Sequence, residues 1–255
     1  MILAIDIGNS NIVVGCILNE KINFIERIST EISRTTVEYA VQLSSIMNIF
    51  HVAAKEIDGA IISSVVPQLT PVLKSAIEKL YDVKVMVVGP GLKTGLNIRI
   101  DDPAQLGSDL LVDSVAAISE YKAPLIVIDM GTATSFCVVN KKNQYIGGVI
   151  APGVRTALDS LVSKTSLLHQ ISLEAPKEII GRNTVECMKS GMIYGNAAYI
   201  DGMVERIEAE LGEECTIIAT GGPSNAIIPF CKRKIIVDEC LMLKGLKVIY
   251  DKNHK

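Results

Sequence analysis

A short acidic turn occurs twice in this chain, and the repeat restricts the fold more than any other feature. The first copy is Asp6-Ile7-Gly8-Asn9-Ser10-Asn11; the second is Asp129-Met130-Gly131-Thr132-Ala133-Thr134. Each follows an apolar run (residues 2–5 and 125–128) and leads into another (residues 12–18 and 135–139). The copies start close to half a chain apart in a sequence of 255 residues. Both read as strand, tight turn, strand. The whole reads as a duplicated domain pair clasping phosphates between two such turns.

The remaining segments support a duplication. Strands are expected over 2–7, 12–18 and 22–28, with a turn at 18–23. A helix is expected over 35–50, starting at Thr36-Val37-Glu38. Residues 57–67 read as a strand entering a loop, 68–80 as a helix with Pro71 in its first turn, and 83–88 as a strand. Gly89-Pro90-Gly91 ends it, and the stretch to 102 reads as irregular. Asp102-Pro103 signals a helix start, and 108–121 reads as a helix with Leu111, Val115 and Ile118 on one face.

The second half gives strands at 125–129 and 134–140, a turn at 141–144 and a strand into Gly147-Gly148. A helix follows over 154–162, then one long helix or two over 184–211. Strands at 215–219 and 233–237 and a helix over 241–250 complete it. Residues 61–67 correspond to 217–223, and 83–88 to 234–237. The extra residues of the second half fall mostly within 155–200. The boundary is expected at Lys122-Ala123-Pro124, giving domains 1–122 and 123–255.

Composition narrows the function. A net charge of −3, with no like-charge run, argues against a nucleic-acid surface. Six cysteines, at 16, 137, 187, 215, 231 and 240, form no CxxC pair, and His51, His169 and His254 are scattered. A zinc site or disulfide framework is not expected, which suits a reducing cytoplasm. No apolar stretch reaches the about 20 residues that span a bilayer, and the start lacks the basic region of a signal peptide. The apolar excess fits a buried sheet and an oligomer interface.

The turns suggest their own chemistry. An acidic residue at a strand end, then Gly and small polar residues, closes a loop tightly. Its N–H groups and the Asn9, Ser10 and Thr132 side chains can donate to phosphate oxygens. Its carboxylate can hold hydrated Mg²⁺, which takes one or two carboxylates plus phosphates and waters. An ordinary β-turn accounts for one copy; two matched copies favour phosphate binding. Neither a Walker A motif nor a GxGxxG helix start occurs.

Thr220-Gly221-Gly222-Pro223 ends a strand, and its glycines would let an adenine approach the backbone, although taken by itself an ordinary loop is the better reading. Asp109 sits in a helix first turn, where acids are favoured; it is also a candidate base for a substrate hydroxyl. Asp113 lies four residues on, and two close carboxylates would raise one pKa. Spacing does not choose between these readings.

The doubled turn resembles the phosphate loops of the acetate kinase/sugar kinase/Hsp70/actin superfamily. The full set of motifs resembles type III pantothenate kinase. Residues 6–15 match D-x-G-N-[ST]-x-x-x-x-G, and 129–134 match D-x-G-T-A-T. Gly147-Gly148-Val149-Ile150-Ala151-Pro152-Gly153 matches G-G-x-I-x-P-G. Residues 181–191 match the segment G-x-[ST]-T-x-x-[ASC]-[MI]-x-x-G, 220–222 match T-G-G, and 241–246 resemble L-x-L-x-G-L. Gly107-Ser108-Asp109-Leu110 matches G-x-D-R in part.

The resemblance implies an α/β fold of two duplicated actin-like (ribonuclease H-like) domains, each a mixed sheet flanked by helices, with the active site in the cleft between them. It implies ATP-dependent phosphorylation of pantothenate, the first step toward coenzyme A, in the cytoplasm. ATP would lie at Asp6, Ile7, Gly8, Asn9, Ser10, Asn11, Ile12, Val13, Gly131, Thr132, Gly221 and Gly222. Pantothenate would lie at Ile100, Gly107, Ser108, Asp109, Leu110 and Thr184, with Asp109 as base. Asp6 would hold Mg²⁺ through water, and Asp129 a monovalent cation, K⁺ or NH₄⁺. A homodimer with Thr184 reaching across its interface is implied as well.

The sequence departs from the family at two positions. Leu110 stands where the family has Arg, a charged fork for the pantothenate carboxylate that Leu cannot supply. Ile100 stands where an aromatic is common. The loss of one charged hydrogen bond is worth on the order of 1.5–3 kcal/mol, which Arg99, Arg155 or Arg182 could offset. These departures leave two alternatives beside a pantothenate kinase: a kinase of the same fold for another hydroxyl substrate, and a weakly active binding or regulatory paralogue. The retention of Asp6, Asp109 and Asp129 argues against loss of catalysis.

Overall fold

A computed structural model describes residues 1–19 and 21–254. The expected turn at 18–23 includes Glu20, which lies outside the described residues. In chain order the first elements are β1 (Ile2–Ile7), β2 (Asn11–Leu18), β3 (Lys21–Ser29), α1 (Thr36–Ile49), β4 (Gly59–Ser64), α2 (Thr70–Leu80), β5 (Val85–Val87), β6 (Asn97–Ile98) and α3 (Ser108–Glu120). Then come β7 (Leu125–Met130), β8 (Ala133–Val139), β9 (Gln144–Pro152), α4 (Val154–Ser163), α5 (Thr184–Ser190) and α6 (Asn196–Leu211). The chain ends with β10 (Thr216–Thr220), α7 (Ser224–Ile227), β11 (Ile236–Val237) and α8 (Leu241–Asn253).

The first compact unit comprises Met1–Gly95, Asp102–Ser119 and Leu241–Lys255. Its sheet runs β3-β2-β1-β4-β5, with β1, β2 and β3 antiparallel and β4 and β5 parallel to β1. Strand alternation sends Leu3, Ile5 and Ile7, Ile12 and Val14, and Ala60 and Ile62 to one face. They are buried there with Tyr39 and Leu43 of α1 and Leu73 and Ile77 of α2. Each such Leu or Ile contributes about 1.5–3 kcal/mol on burial. Helix α1 starts in a capping box: Glu38 N–H donates to Thr35 Oγ1, and Thr35 N–H donates to the Glu38 carboxylate.

The opposite face of this sheet carries Ala4, Asp6, Gly15, Gly59 and Ser63. Helix α8 lies over it: a side chain at Gly15 would run into Leu243, and one at Gly59 into Tyr250. Helix α8 meets α3 where Gly245 sits against the carbonyl of Val112. The division therefore differs from one at 122. The apolar stripe Leu243, Leu246, Ile249 and Tyr250 is buried in the first unit although its helix closes the chain.

The second unit comprises Leu96–Asp101 and Glu120–Cys240. Its sheet order is β11-β10-β7-β8-β9-β6. The five strands β9-β8-β7-β10-β11 reproduce the order and directions of β3-β2-β1-β4-β5. The duplication read from the two turns thus extends to both sheets. Strand β6 lies in the stretch expected to be irregular and adds an edge beside β9, with Arg99 N–H donating to Tyr145 O at 2.8 Å. The core joins Ile126, Ile128, Phe136 and Ala219 of the sheet to Val154 of α4 and to Ala197, Ile200 and Val204 of α6.

One open expectation is decided and two are adjusted. Of the one long helix or two expected over 184–211, the structure has two, joined by a π-helical turn, Gly191–Gly195. The strand expected over 233–237 shortens to β11, because the N–H groups of Lys232 and Arg233 donate to the Asp201 carboxylate at 2.8 and 3.1 Å. The buried part of α3 is not a single stripe of Leu111, Val115 and Ile118: residues 112–117 are all buried, while Leu111 and Ile118 are half-buried.

Candidate active site

The Asp6 turn closes through Gly8 N–H donating to Asn11 O at 3.0 Å. Thr30, directly after β3, holds it twice: its N–H donates to Ser10 O at 3.1 Å and its hydroxyl to Gly8 O at 2.7 Å. Asn9, Ser10 and Asn11 are exposed, and Asp6 and Val13 are half-buried. Ile7 and Ile12 are fully buried in the core, so only their main-chain atoms can serve a ligand.

The Asp129 turn is tighter. Met130 pairs with Thr134, whereas Ile7 pairs with Ile12, so this loop is one residue shorter. Gly131 N–H donates to Ala133 O at 2.8 Å. Thr132 O accepts from Gly153 N–H at 3.0 Å and from the Thr156 hydroxyl at 2.7 Å. A Cβ at Gly153 would lie 2.2 Å from Gly131 O. Gly131 and Thr132 are exposed.

Gly221 has a structural use of its own. Its φ is +91°, and a Cβ there would fall 2.4 Å from Met130 O. It lets the end of β10 close against the end of β7. Gly222 is exposed beside it. Asp129 is half-buried, with Ser135 and Thr220 as its cross-strand neighbours on one sheet face.

Asp109 lies in the first turn of α3 and is half-buried. Burial pushes its carboxyl above the ordinary value, opposed by the N–H groups of Leu110 and of Asp109 itself. Desolvation is the leading cause, and the repulsion from Asp113 that the spacing left open is not among the causes. The Leu110 N–H donates to Asp109 Oδ1 at 2.8 Å. A Cβ at Gly107 would lie 2.5 Å from that oxygen, so Gly107 leaves the carboxylate its place. The Ser108 hydroxyl bonds to Ser63 and Ser64 at the tip of β4. Ser63 is the cross-strand partner of Asp6, so Asp6 shares its sheet face with the group that anchors the start of α3.

Of the other expected residues, Leu110 and Ile100 are half-buried and Thr184 is exposed at the start of α5. Arg99 and Arg155 are exposed; Arg182 is exposed and faces Glu178 at 3.4 Å. The sequence reading missed Thr30, Gly153 and Thr156 as holders of the turns. Their shared position, just past the third strand of each half, was the available signal.

Two sheets of one order, each with an acidic turn at the end of its first strand, make a duplicated actin-like fold, and Asp109 adds a half-buried carboxylate at a helix start. Component A of (R)-2-hydroxyglutaryl-CoA dehydratase from Acidaminococcus fermentans has a similar fold, at a TM-score of 0.57 and 12% identity over 99% of this chain and 98% of that one. The family model for type III pantothenate kinase matches residues 2–206. A type III pantothenate kinase from Exiguobacterium sp. is 40% identical over 255 residues, covering 100% of both chains. One from Halalkalibacterium halodurans is 42% identical over 253 residues, covering 99% of this chain and 100% of the relative. The chain belongs to the type III pantothenate kinase family and is a kinase of that kind. The reaction is the ATP-dependent phosphorylation of pantothenate, on the way to coenzyme A.

Proposed function

We propose a division of labour among these residues, carried chiefly by one observation: Asp109 is a carboxylate of raised pKa anchored beside the strand end that bears Asp6. Asp109 accepts the proton of the pantothenate hydroxyl as that oxygen bonds to the γ-phosphorus of ATP, and ADP leaves. A raised pKa makes it the stronger base. In the first unit the main chain of residues 7–13 and the side chains of Asn9, Ser10 and Asn11 are the phosphate-binding groups; in the second unit Gly131 and Thr132 have the same role, as the resemblance implies. Gly222, more than Gly221, is the glycine open to adenine.

The donor chemistry fits the two ions that the family implies. Among the described residues no three His, Cys, Asp or Glu side chains gather into a metal cage. Mg²⁺ binds mainly through phosphates and waters, and Asp6 would be its protein partner through water. Mg²⁺ supplies charge neutralisation at the transferring phosphate. Beside Asp129, the buried Ser135 hydroxyl has no hydrogen-bond partner among the described residues. Carboxylate and hydroxyl oxygens there suit K⁺ or NH₄⁺.

The pantothenate contacts in the first unit are Gly107, Asp109 and Leu110; Ile100 and, across a homodimer interface, Thr184 are the further contacts that the resemblance implies. Ile179 and Ile180, 62% and 77% exposed, and Val185, 48% exposed, lie close to Thr184 in sequence and would offer a second copy apolar contact. Cytoplasmic residence fits the free cysteines, of which Cys16 and Cys231 are pushed by burial to about 11 and about 12. Among the described residues no helix is long and apolar enough to cross a membrane.

The test follows ADP formation with Mg-ATP, K⁺ and pantothenate. Asp109→Asn should lower kcat by roughly 10²–10⁴-fold. In the parent protein kcat should fall as the pH drops through a pKa above the ordinary carboxylate value, because the base must be ionised. Full turnover in Asp109→Asn sinks the base assignment. Equal use of pantothenate and its uncharged amide would show that Leu110 has removed recognition of the acid. Turnover only with another hydroxyl compound would favour the alternative substrate reading.

A further inference from the structure

The resemblance placed Ser108 among the substrate-binding residues, but its hydroxyl is already occupied. Ser108 Oγ donates to Ser64 O at 2.9 Å. It accepts from Ser64 N–H at 3.1 Å and from the Ser63 hydroxyl at 3.2 Å. A hydroxyl has one proton and two lone pairs, and all three are used. The anchor is itself braced, since the Thr70 hydroxyl at the start of α2 donates to Ser64 Oγ at 2.8 Å. Ser63 is fully buried and pairs with Asp6 on β1. Three elements, β4, α2 and α3, are thereby tied at the sheet end that carries Asp6.

We propose that Ser108 is a positioning residue: its three hydrogen bonds to the tip of β4 fix where the neighbouring Asp109 stands on the Asp6 side of the sheet. Asp109 follows directly in the chain, and its carboxylate folds back onto the Leu110 N–H. It therefore has little freedom that the Ser108 anchor does not set. This inference rests on the reading of Asp109 as the base. A reacting group displaced by about 1 Å can lose on the order of a hundredfold in rate, so a remote hydroxyl of this kind affects turnover without touching substrate.

The variants are Ser108→Ala, Ser108→Thr and Ser63→Ala, assayed with Mg-ATP and pantothenate and titrated at Asp109 by carboxyl ¹³C NMR. The resonance that disappears in Asp109→Asn is that of Asp109, so following it makes the titration report on that residue. Ser108→Ala should lower kcat by about 10- to 100-fold while KM for pantothenate stays nearly constant. Its Asp109 pKa should fall toward the ordinary value as water reaches the loosened turn. Ser108→Thr keeps the hydroxyl and should restore most of the rate.

A raised KM with unchanged kcat would make Ser108 a substrate contact and overturn the proposal. If Ser108→Ala fails to fold, Ser63→Ala removes one bond of the three and should shift kcat and the titration in the same direction by less; no shift in either overturns it. If the parent protein does not turn over pantothenate, the substrate reading fails by itself, while full turnover in Asp109→Asn is what sinks the base reading. The Asp109 titration then decides the positioning claim, and an unmoved pKa in both Ala variants refutes it.

Discussion

The two acidic turns share a motif but are held to different degrees. The Asp6 turn is the longer loop, secured from one side by Thr30, with its polar side chains exposed. The Asp129 turn is shorter and is wedged between glycines: Gly153 presses on Gly131 and Thr132, and Gly221 on Met130. Duplication preserved the clasp, a main-chain N–H and a Thr hydroxyl from beyond the third strand, while the second copy gained a close-packed surround. A loop with spare side-chain donors can adapt to a polyphosphate. A wedged loop presents a fixed main-chain edge and a fixed carboxylate. On the proposed roles, the first turn is the one whose grip on phosphate should be adaptable, and the second the one whose main chain should stay fixed.

The sharpest test compares glycines. Gly153→Ala puts a methyl group against main chain that has nowhere to move, and should cost about 3 kcal/mol. In a protein of this size that lowers Tm by roughly 6–12 °C. Gly8→Ala meets Asn11 O at 3.0 Å, a contact that a small shift relieves. It should cost about 1 kcal/mol. Calorimetry on both variants checks the order, and equal losses would mean that the second turn is no more tightly held than the first.

A second pair of variants separates the carboxylates by the ion each serves. Asp6→Asn should lower turnover by about a hundredfold, as loss of one preorganised electrostatic group does, and should raise the Mg²⁺ concentration needed. Asp129→Asn should lower it about tenfold, by the weaker field of a single charge on an ion at a distance, and should change the K⁺ dependence instead. Titrating both ions against both variants decides. If the two substitutions shift the same ion, the assignment of different roles to the turns is wrong.

Much of this was legible in the sequence, and the reasons are local. Strands such as β1 and β7 announce themselves because apolar runs next to Asp-x-Gly turns have few other ways to fold. Helix α2 shows its start through Pro71. The homing of α8 to the first sheet was not legible, because an apolar stripe such as Leu243, Leu246 and Tyr250 does not say which sheet it will cover. Strand β6 was hidden since two residues carry no period. At the site, Asp6, Asp109 and Asp129 stood out by position. The occupied hydroxyl of Ser108 did not, because its partners lie 44 and 45 residues away in the chain. The adenine reading of Gly221 overlooked that a glycine also serves a close approach of two strands.

The smallest expected effects probe the clasps themselves. Thr30→Val removes the hydroxyl bond to Gly8 O, and Thr156→Val the matching bond to Thr132 O. Each bond is worth about 1 kcal/mol, close to a fivefold change in an equilibrium constant. In the first turn that loss should appear in function, as a KM for ATP raised about three- to fivefold, because the main-chain bonds that remain, Gly8 to Asn11 and Thr30 to Ser10, are not backed by close-packed glycines. In the second turn the Gly153 and Gly221 contacts remain, so Thr156→Val should change KM by less than about twofold and register mainly in Tm. Steady-state kinetics at saturating pantothenate distinguish the two. A larger KM effect from Thr156→Val would reverse the comparison, making the wedged turn the one whose grip on phosphate depends on its clasp.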